Sequence, residues 1–368
     1  MDQLLKQRIT LLDIAADAGV SRATVSLVIR NVPTVADATR KRVQRSIKRL
    51  GYVYHRGAAS LRTQQSHAVG LIVSDITNPF FAEVIVAIEE RLGDAGLVTL
   101  LGNTSEDHAK EARLLNTMSE FPADGILICP ALGRGNSTAA TQLPAVAFAR
   151  RVHGLDYAGV DNAQGSYLAV EHLAKLGNAR IGFIGGNPQT TSGQERIDGY
   201  QRALTGLGLQ FDPKLVVSCS PTRRGGSNGI EHLLQLANPP SAAVCYNDVV
   251  ALGVIEALHG AGIRPGKEFG VVGFNNVPEA AQCLPGLTTV DTSPRELGRT
   301  AAELLLKRIE HRNSPIRTVI LQPRLIVRES CGSSLPLRAA HSSMTNSGQC
   351  TGPRYPSNIY GQIQSNTD

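Results

Sequence analysis

From Ala68 to Arg312 short apolar runs alternate with helix-like stretches, and this alternation restricts the fold more than any other feature of the chain. It is the pattern of parallel sheets with crossover helices. Strands are expected near 69–74, 98–101, 125–129, 181–184, 242–246 and 271–274. Helices are expected near 80–92, 110–120, 163–176, 194–207, 249–259 and 295–312. That count fits two αβ lobes of about 100 to 130 residues each. Such lobes take ligands beyond the carboxyl ends of their strands, so a cleft between the two is the expected site.

The segment ahead of this body differs in charge. Residues 1–62 hold twelve Lys/Arg against four Asp/Glu, a balance of +8, whereas the remainder holds 25 against 27. A basic head on a near-neutral body fits a polyanion-binding module, and a solvated helix surface would carry the same charge. The pattern inside the head favours the first. Thr10 and Asp13 have capping-box spacing, and Leu11, Ile14, Ala15 and Ala18 fall on one helix face. Gly19 stops that helix, Val20 and Ser21 complete a turn, and Ser21 caps a second helix whose Val25, Val28 and Ile29 face the first. This is a helix-turn-helix. Its outward positions, Arg22, Ala23, Ser26, Leu27 and Arg30, are small or basic enough to lie against base edges and phosphates. A third helix is expected over 37–50, burying Val43, Ile47 and Leu50 and ending at Gly51.

Several function classes lose support. No apolar run approaches the roughly 20 residues that span a bilayer, and charges interrupt the first twenty positions where a signal peptide needs an apolar stretch. A cytoplasmic protein without membrane partners is expected. The six cysteines lack C-x-x-C spacing, so no zinc site or disulfide framework is indicated. No phosphate-loop, H-E-x-x-H or G-x-S-x-G motif occurs, and Asp161, His172, Asp248 and His259 have no diagnostic spacing. No enzyme, cofactor or metal is expected. Two rival readings stay open: a ligand-binding protein with no DNA role, and a sugar-processing enzyme using the cleft.

Three stretches, IAADAGVSRATVSLVIRN, ATRKRVQRSIKRLGY and AASLRTQQSHAVGLIVSDITNPFFAEV, resemble the LacI-type family of lactose and purine repressors in order and spacing. The likeness runs to about Glu329. It implies a multidomain α plus α/β chain: a helix-turn-helix DNA-binding domain over 1–55, a hinge helix and linker over 56–66, and a two-lobed effector and dimerisation domain over 67–330. That last domain resembles the periplasmic sugar-binding proteins. Residues 331–368, rich in Ser, Gly, Asn and Pro without a leucine heptad, are expected to be a disordered tail, which makes a homodimer the expected assembly.

The resemblance implies that Arg22 and Ala23 read major-groove bases. Leu27 stands where some relatives place an Arg or His; a leucine cannot bond guanine bidentately, so the preferred operator should differ. Thr10, Ser21, Thr24 and Asn31 complete the candidate DNA-contacting set of the head. In the hinge the candidates are Ala58, Leu61 and Arg62, with Leu61 matching a leucine that wedges into the minor groove, or else packing on its dimer mate. So short a helix should order only on DNA.

For the effector, Ser74, Asp75, Asn78, Phe80 and Phe81 follow the first strand of the body, although the two phenylalanines also suit a core. Arg196, in SGQERIDGY, matches the family's ligand-contacting arginine. Asn247, in CYNDVVALG, is expected to face ligand and Asp248 to cap the next helix. Ala149 and Asn275 stand where sugar-binding relatives hold hydroxyls with carboxylates. The segment SPTRRGG brings Arg223 or Arg224 toward the cleft, with Arg150 near Arg196. Guanidiniums in place of carboxylates favour an anion, an organic acid or an acidic or phosphorylated sugar, unless these arginines are solvated or make ion pairs. The expected function is a sequence-specific DNA-binding transcriptional repressor that holds a pseudo-palindromic operator as a dimer and releases it when a small metabolite binds.

Overall fold

The computed structural model describes residues 9–52, 66–120, 123–131 and 142–332. The head contains α1 (Leu11–Ala18), α2 (Arg22–Ile29) and α3 (Asp37–Leu50). Asp13 closes the start of α1 by accepting from the Thr10 amide and hydroxyl at 2.7 and 2.8 Å. Ser21 caps α2 by accepting from the Thr24 amide at 3.1 Å. Ile14, Ala15, Ala18, Val25, Val28 and Val43 form the head's own core, with Ile29, Ile47 and Leu50 packed at its edge. An Arg49–Asp17 ion pair ties α3 to α1.

The body begins with β1 (Ala68–Val73), α4 (Pro79–Asp94), β2 (Val98–Asn103), α5 (His108–Glu120), β3 (Gly125–Ile128), β4 (Ala145–Phe148) and β5 (Asp156–Val160). There follow α6 (Asn162–Lys175), β6 (Ile181–Ile184), α7 (Thr191–Gly206), β7 (Val216–Val217), α8 (Arg223–Leu234), β8 (Ala242–Cys245) and α9 (Asp248–Gly260). The last elements are β9 (Gly270–Asn275), α10 (Pro278–Gln282), β10 (Thr288–Asp291), α11 (Pro294–Glu310), β11 (Thr318–Leu321) and β12 (Arg324–Ile326). All six expected strands and all six expected helices of the body are present, to within three residues at each end.

Two six-stranded sheets result, ordered β11-β5-β4-β3-β1-β2 and β12-β10-β9-β8-β6-β7. Every pairing is parallel except β10 with β12. Strands such as β3, β4, β5 and β8 are buried along their whole length because helices cover both faces, which is why they read as continuous apolar runs. The chain passes between the lobes three times: from β5 to α6, from β10 to α11 and from β11 to β12. Lobe one packs α4 and α11 on a core around Phe81, Ile88, Leu127, Phe148 and Leu305. Lobe two has a core on each face of its sheet, one around Phe183, Tyr200 and Phe274, the other around Ile184, Val254 and Val271.

The folded body continues past the expected boundary at 330. Cys331 is buried in lobe two, where its sulfur accepts from the Thr288 hydroxyl at 3.1 Å. The expected hinge, with Ala58, Leu61 and Arg62, and the tail from 333 onward lie outside the described residues. No described helix is long and apolar enough to cross a membrane.

Candidate functional site

The carboxyl ends of β1 to β4 in lobe one face those of β7, β8 and β9 in lobe two, together with the first turns of α7. Between them lies a narrow cleft, lined from both lobes, that encloses only about 50 Å³. Its wall brings together Asp75, Asn78, Phe80, Phe81, Arg150, Arg196, Asn247 and Asn275, eight of the ten residues expected there. Ser74 and Arg224 are not in the wall. Ser74 is buried, its hydroxyl accepting from the Cys129 thiol at 3.9 Å. Arg224 is exposed because 223–234 is a helix rather than a loop: Thr222 caps it by accepting from the Gly225 amide at 3.1 Å. Gly225 and Gly226 then face inward, both arginines face solvent, and Pro221 takes the wall position.

Local structure positions each polar group. Asp75 accepts from the Thr77 amide and hydroxyl at 2.9 and 2.6 Å. Asn78 caps α4 through the Phe80 amide at 3.1 Å, with Pro79 in the first turn. Phe80 and Phe81 meet edge to face at 5.1 Å, and both belong to the lobe-one core while also facing the cleft. Asn247 caps α9 by accepting from the Val250 amide at 2.8 Å. That bond fixes which end of the amide is which and leaves the buried Nδ2 without a partner among the described residues. At the end of the neighbouring strand β9 the buried Oδ1 of Asn275 is likewise unpartnered among the described residues. A buried polar atom left unbonded costs about 1–3 kcal/mol, so these two atoms mark where a bound molecule gains most.

Asp248 departs from the expected capping role, because Asn247 already caps the helix. Its carboxylate is fully buried and accepts from the Thr289 hydroxyl at 2.5 Å and the Val277 amide at 2.8 Å, fastening α9 to β10 and to the turn after β9. Burial pushes the Asp248 carboxyl up to about 7, against the hydrogen bonds from Thr289, Val277 and Phe274 that favour the charged form. An unfolded chain loses this proton near 3.8 while the folded one keeps it to about 7. Stability should therefore fall as pH rises across that interval, by up to about 1.4 kcal/mol per pH unit. Asp248→Asn, whose amide can accept from Val277 and donate to Thr289, should flatten that stretch of a plot of denaturant midpoint against pH.

The charged residues sort into paired and unpaired. Arg150 is held by both oxygens of Glu106 at 2.7 and 2.8 Å and by the Pro130 carbonyl at 2.8 Å, so its charge is neutralised within lobe one. Arg196 is buried with no ion-pair partner among the described residues. Its Nε donates to Asn162 Oδ1 at 2.9 Å and its Nη1 to the Tyr246 carbonyl. The guanidinium lies 3.7 Å from the Phe274 ring centroid and 4.6 Å from that of Tyr246. Burial pulls its pKa down, against the opposing influence of Tyr246 and Glu195. Burial likewise acts to raise the Tyr246 hydroxyl, but the guanidiniums of Arg150 and Arg196 outweigh it and hold that group below its usual range.

Glu106, Cys129, Ser192, Pro221 and Tyr246 also line the cleft and were not anticipated. Tyr246 ends an expected strand and Glu106 follows another in the run NTSED, so the strand-end rule that found Asp75 could have found both. The wall thus offers a free donor, a free acceptor, a cation, a carboxylate and aromatic faces. That set suits reversible binding of a polar, hydroxylated molecule.

In the head, Ser21, Arg22 and Ala23 are exposed at the start of α2, and Arg30 and Asn31 at its end. Thr24, Ser26 and Leu27 are half-buried, and Thr10 is exposed ahead of α1. Two of these serve the head itself: the Thr24 hydroxyl meets that of Ser21 at 2.9 Å, and Asn31 accepts from Arg40 at 2.9 Å. Arg22 has no ion-pair partner among the described residues. Lys41, Arg42, Arg45 and Lys48 of α3 add exposed positive charge.

Comparison with known proteins accounts for both parts. Residues 10–54 match the bacterial regulatory proteins of the lacI family, and residues 170–331 match the periplasmic binding protein-like domain. The repressor PurR of Aliivibrio salmonicida is 32% identical over 334 residues, covering 87% of this chain and 98% of its own. The lac repressor dimer bound to operator and the anti-inducer ONPF superposes with a TM-score of 0.80 at 25% identity, over 88% of this chain and 99% of that one. The regulator CelR in complex with cellobiose superposes with a TM-score of 0.68 at 29% identity, over 88% of this chain and 100% of that one. By its reading head, its two-lobed body and its likeness over nearly the whole length of these relatives, the chain belongs to the LacI family and is a DNA-binding transcriptional regulator.

Proposed function

We propose that the protein is a cytoplasmic, dimeric repressor. Its two heads seat on the halves of a pseudo-palindromic operator, and a metabolite in the interlobe cleft releases it. The observation that carries this is the union, on one chain, of an exposed Ser21–Arg22–Ala23 edge with a cleft whose Asn247 Nδ2 and Asn275 Oδ1 lack partners among the described residues. One helix-turn-helix covers a half-site, so a two-fold dimer is needed to read a whole one. Strand β2, the edge of its sheet among the described residues, exposes Val98, Leu100 and Leu101, which favours burial against a second copy. If ligand and operator prefer different lobe arrangements, their affinities are coupled reciprocally.

For the effector, the neutralised Arg150 and the exposed Arg224 narrow the anionic reading to one group. Arg196 is the single wall cation with no ion-pair partner among the described residues, so a hydroxyl-rich molecule with one carboxylate or phosphate fits the charge balance. Cellobiose in CelR shows a hydroxyl-rich ligand in a relative. Calorimetry with sugar acids, sugar phosphates, dicarboxylic acids and neutral sugars tests this, and tight binding of a neutral sugar alone would overturn the anionic part.

Selection of bound sites from random DNA, with and without the same panel, tests the regulator. The expected result is a symmetric site whose recovery drops with one class of metabolite. Arg22→Ala should weaken the selected site by about 1–3 kcal/mol and relax preference at one base pair per half-site. Nonspecific binding should keep nearly the same steep salt dependence. Equal loss on every duplex would assign Arg22 to phosphate contact instead.

A further inference from the structure

Helix α3 carries more positive charge than its packing in the head requires. Its sequence, DATRKRVQRSIKRL, contains a single acid, Asp37. Arg40 is engaged inside the head, donating to Asn31 Oδ1 at 2.9 Å and to the Val32 carbonyl at 2.7 Å, and Arg49 pairs with Asp17 of α1. Lys41, Arg42, Arg45 and Lys48 are exposed and have no ion-pair partner among the described residues. At 3.6 residues per turn Lys41, Arg45 and Lys48 form one stripe, opposite the face on which Val43, Ile47 and Leu50 pack against α1 and α2. Like charges three and four residues apart repel, so the free helix is less stable for carrying them. The reading edge belongs to α2, where the exposed cations are Arg22 and Arg30. More unpaired positive charge thus stands on α3 than along that edge.

We propose that the Lys41–Arg45–Lys48 stripe, flanked by Arg42, binds the phosphate backbone of a second DNA segment while α2 reads the operator. The stripe is about 10 Å long at 1.5 Å per residue, and a duplex carries a phosphate charge about every 1.7 Å of its axis, so several phosphates lie within its reach. The operator's own phosphates are poorly placed to meet it. A duplex on the reading edge lies on the outer side of α2, and two helix diameters of about 10 Å each separate that side from the outer side of α3. That distance exceeds the Debye length of about 8 Å at physiological salt, so the operator's field is largely screened at the stripe. With such a second surface the regulator passes from one stretch of duplex to another through a three-way complex, without first being free in solution.

The test follows dissociation of the full chain from its labelled operator duplex, obtained by the site selection above, as unlabelled duplex lacking that site is added. In about 50 mM salt the wild-type rate should rise in proportion to the added duplex. In about 200 mM salt that rise should shrink roughly 40-fold, the loss expected for three phosphate contacts. Combining Lys41→Gln, Arg45→Gln and Lys48→Gln should cut the rise at least about tenfold in the lower salt, and the head should keep its fold because the changes remove repulsion. In the higher salt, where remote charges are screened, the operator affinity of this triple variant should stay within about threefold of wild type. Arg223→Gln with Arg224→Gln, which takes two exposed arginines from lobe two, should leave the rise unchanged and so separates position from net charge. A wild-type rate indifferent to added duplex would overturn the second-segment contact and leave the stripe to an acidic protein surface. An undiminished rise in the triple variant would overturn it too. So would loss of operator affinity in the higher salt, which would place the stripe on the operator's own phosphates. No effector enters the measurement, so its outcome is independent of the effector panel.

Discussion

Replacing Arg196 with Met is expected to weaken effector binding by at least about 100-fold, because two charge-assisted hydrogen bonds at roughly 1.5 kcal/mol each are the minimum the cleft would lose. The side chain does three jobs at once. It stacks on Phe274, donates to Asn162, and donates to the Tyr246 carbonyl at the end of β8. Asn162 is itself aligned by donating to Glu195 at 2.8 Å, so the guanidinium sits in a chain of fixed partners. Methionine keeps the apolar stem and a sulfur beside the ring, which limits the folding cost, but removes both donors and the charge. Arg196→Lys should rescue little: a point charge cannot hold Asn162 and Tyr246 in one plane while stacking on Phe274. Calorimetry with whichever panel member binds the wild type, paired with a denaturant midpoint, separates lost recognition from lost fold. The Met variant should still bind operator and should no longer let go of it when effector is added. Wild-type effector affinity in that variant would remove Arg196 from the site.

Arg196 was singled out by the resemblance of SGQERIDGY to the family's arginine motif and Asn247 by its place after an apolar strand, and the structure sets both in the cleft wall. Glu106 was not singled out, although it decides the charge of the cleft. Its partner Arg150 lies 44 positions further along, and only the sheet order β4-β3-β1-β2, which sets the ends of β2 and β4 on one edge of the cleft, brings them together. Counting arginines without that carboxylate exaggerated the positive charge at the site. Asp248 was misplaced for a related reason: adjacent Asn and Asp both suit a helix start, and only the turn after β9 and the Thr289 hydroxyl of β10 determine which one caps. Phe80 and Phe81 posed a choice between core and cleft that the structure dissolves, since the cleft floor is the core's upper surface. The helix over 223–234 escaped notice because its first turns read RRGGSNG, a run whose glycines argue for a loop by propensity alone.

Those glycines lead to the other large effect, a sign reversal between two identical substitutions in one helix. Gly253 and Gly260 both lie in α9, and on propensity each would gain up to about 1 kcal/mol from alanine. At Gly260 a new Cβ meets nothing within 4 Å, so Gly260→Ala should be neutral or stabilising by that amount. At Gly253 it would stand 1.9 Å from the Arg223 carbonyl oxygen, and on the facing helix a Cβ at Gly226 would stand 2.1 Å from the Val250 carbonyl oxygen. Both obstacles are backbone, which no side-chain rotation can clear. Helices α8 and α9 therefore approach so closely that neither tolerates a methyl at the crossing, and relieving the overlap requires sliding one past the other against the core of Ile230, Leu233 and Val254. Overpacking of that kind costs about 1–3 kcal/mol beyond any gain in propensity, so Gly253→Ala should lower the denaturant midpoint while Gly260→Ala leaves it level or higher. The shift should also reach the cleft, because Pro221 precedes α8 and Asn247 caps α9. Gly253→Ala should thus lose effector affinity in calorimetry, whereas Gly260→Ala should not. Midpoints moving the same way in both variants would show that helix propensity, not the crossing, governs this pair.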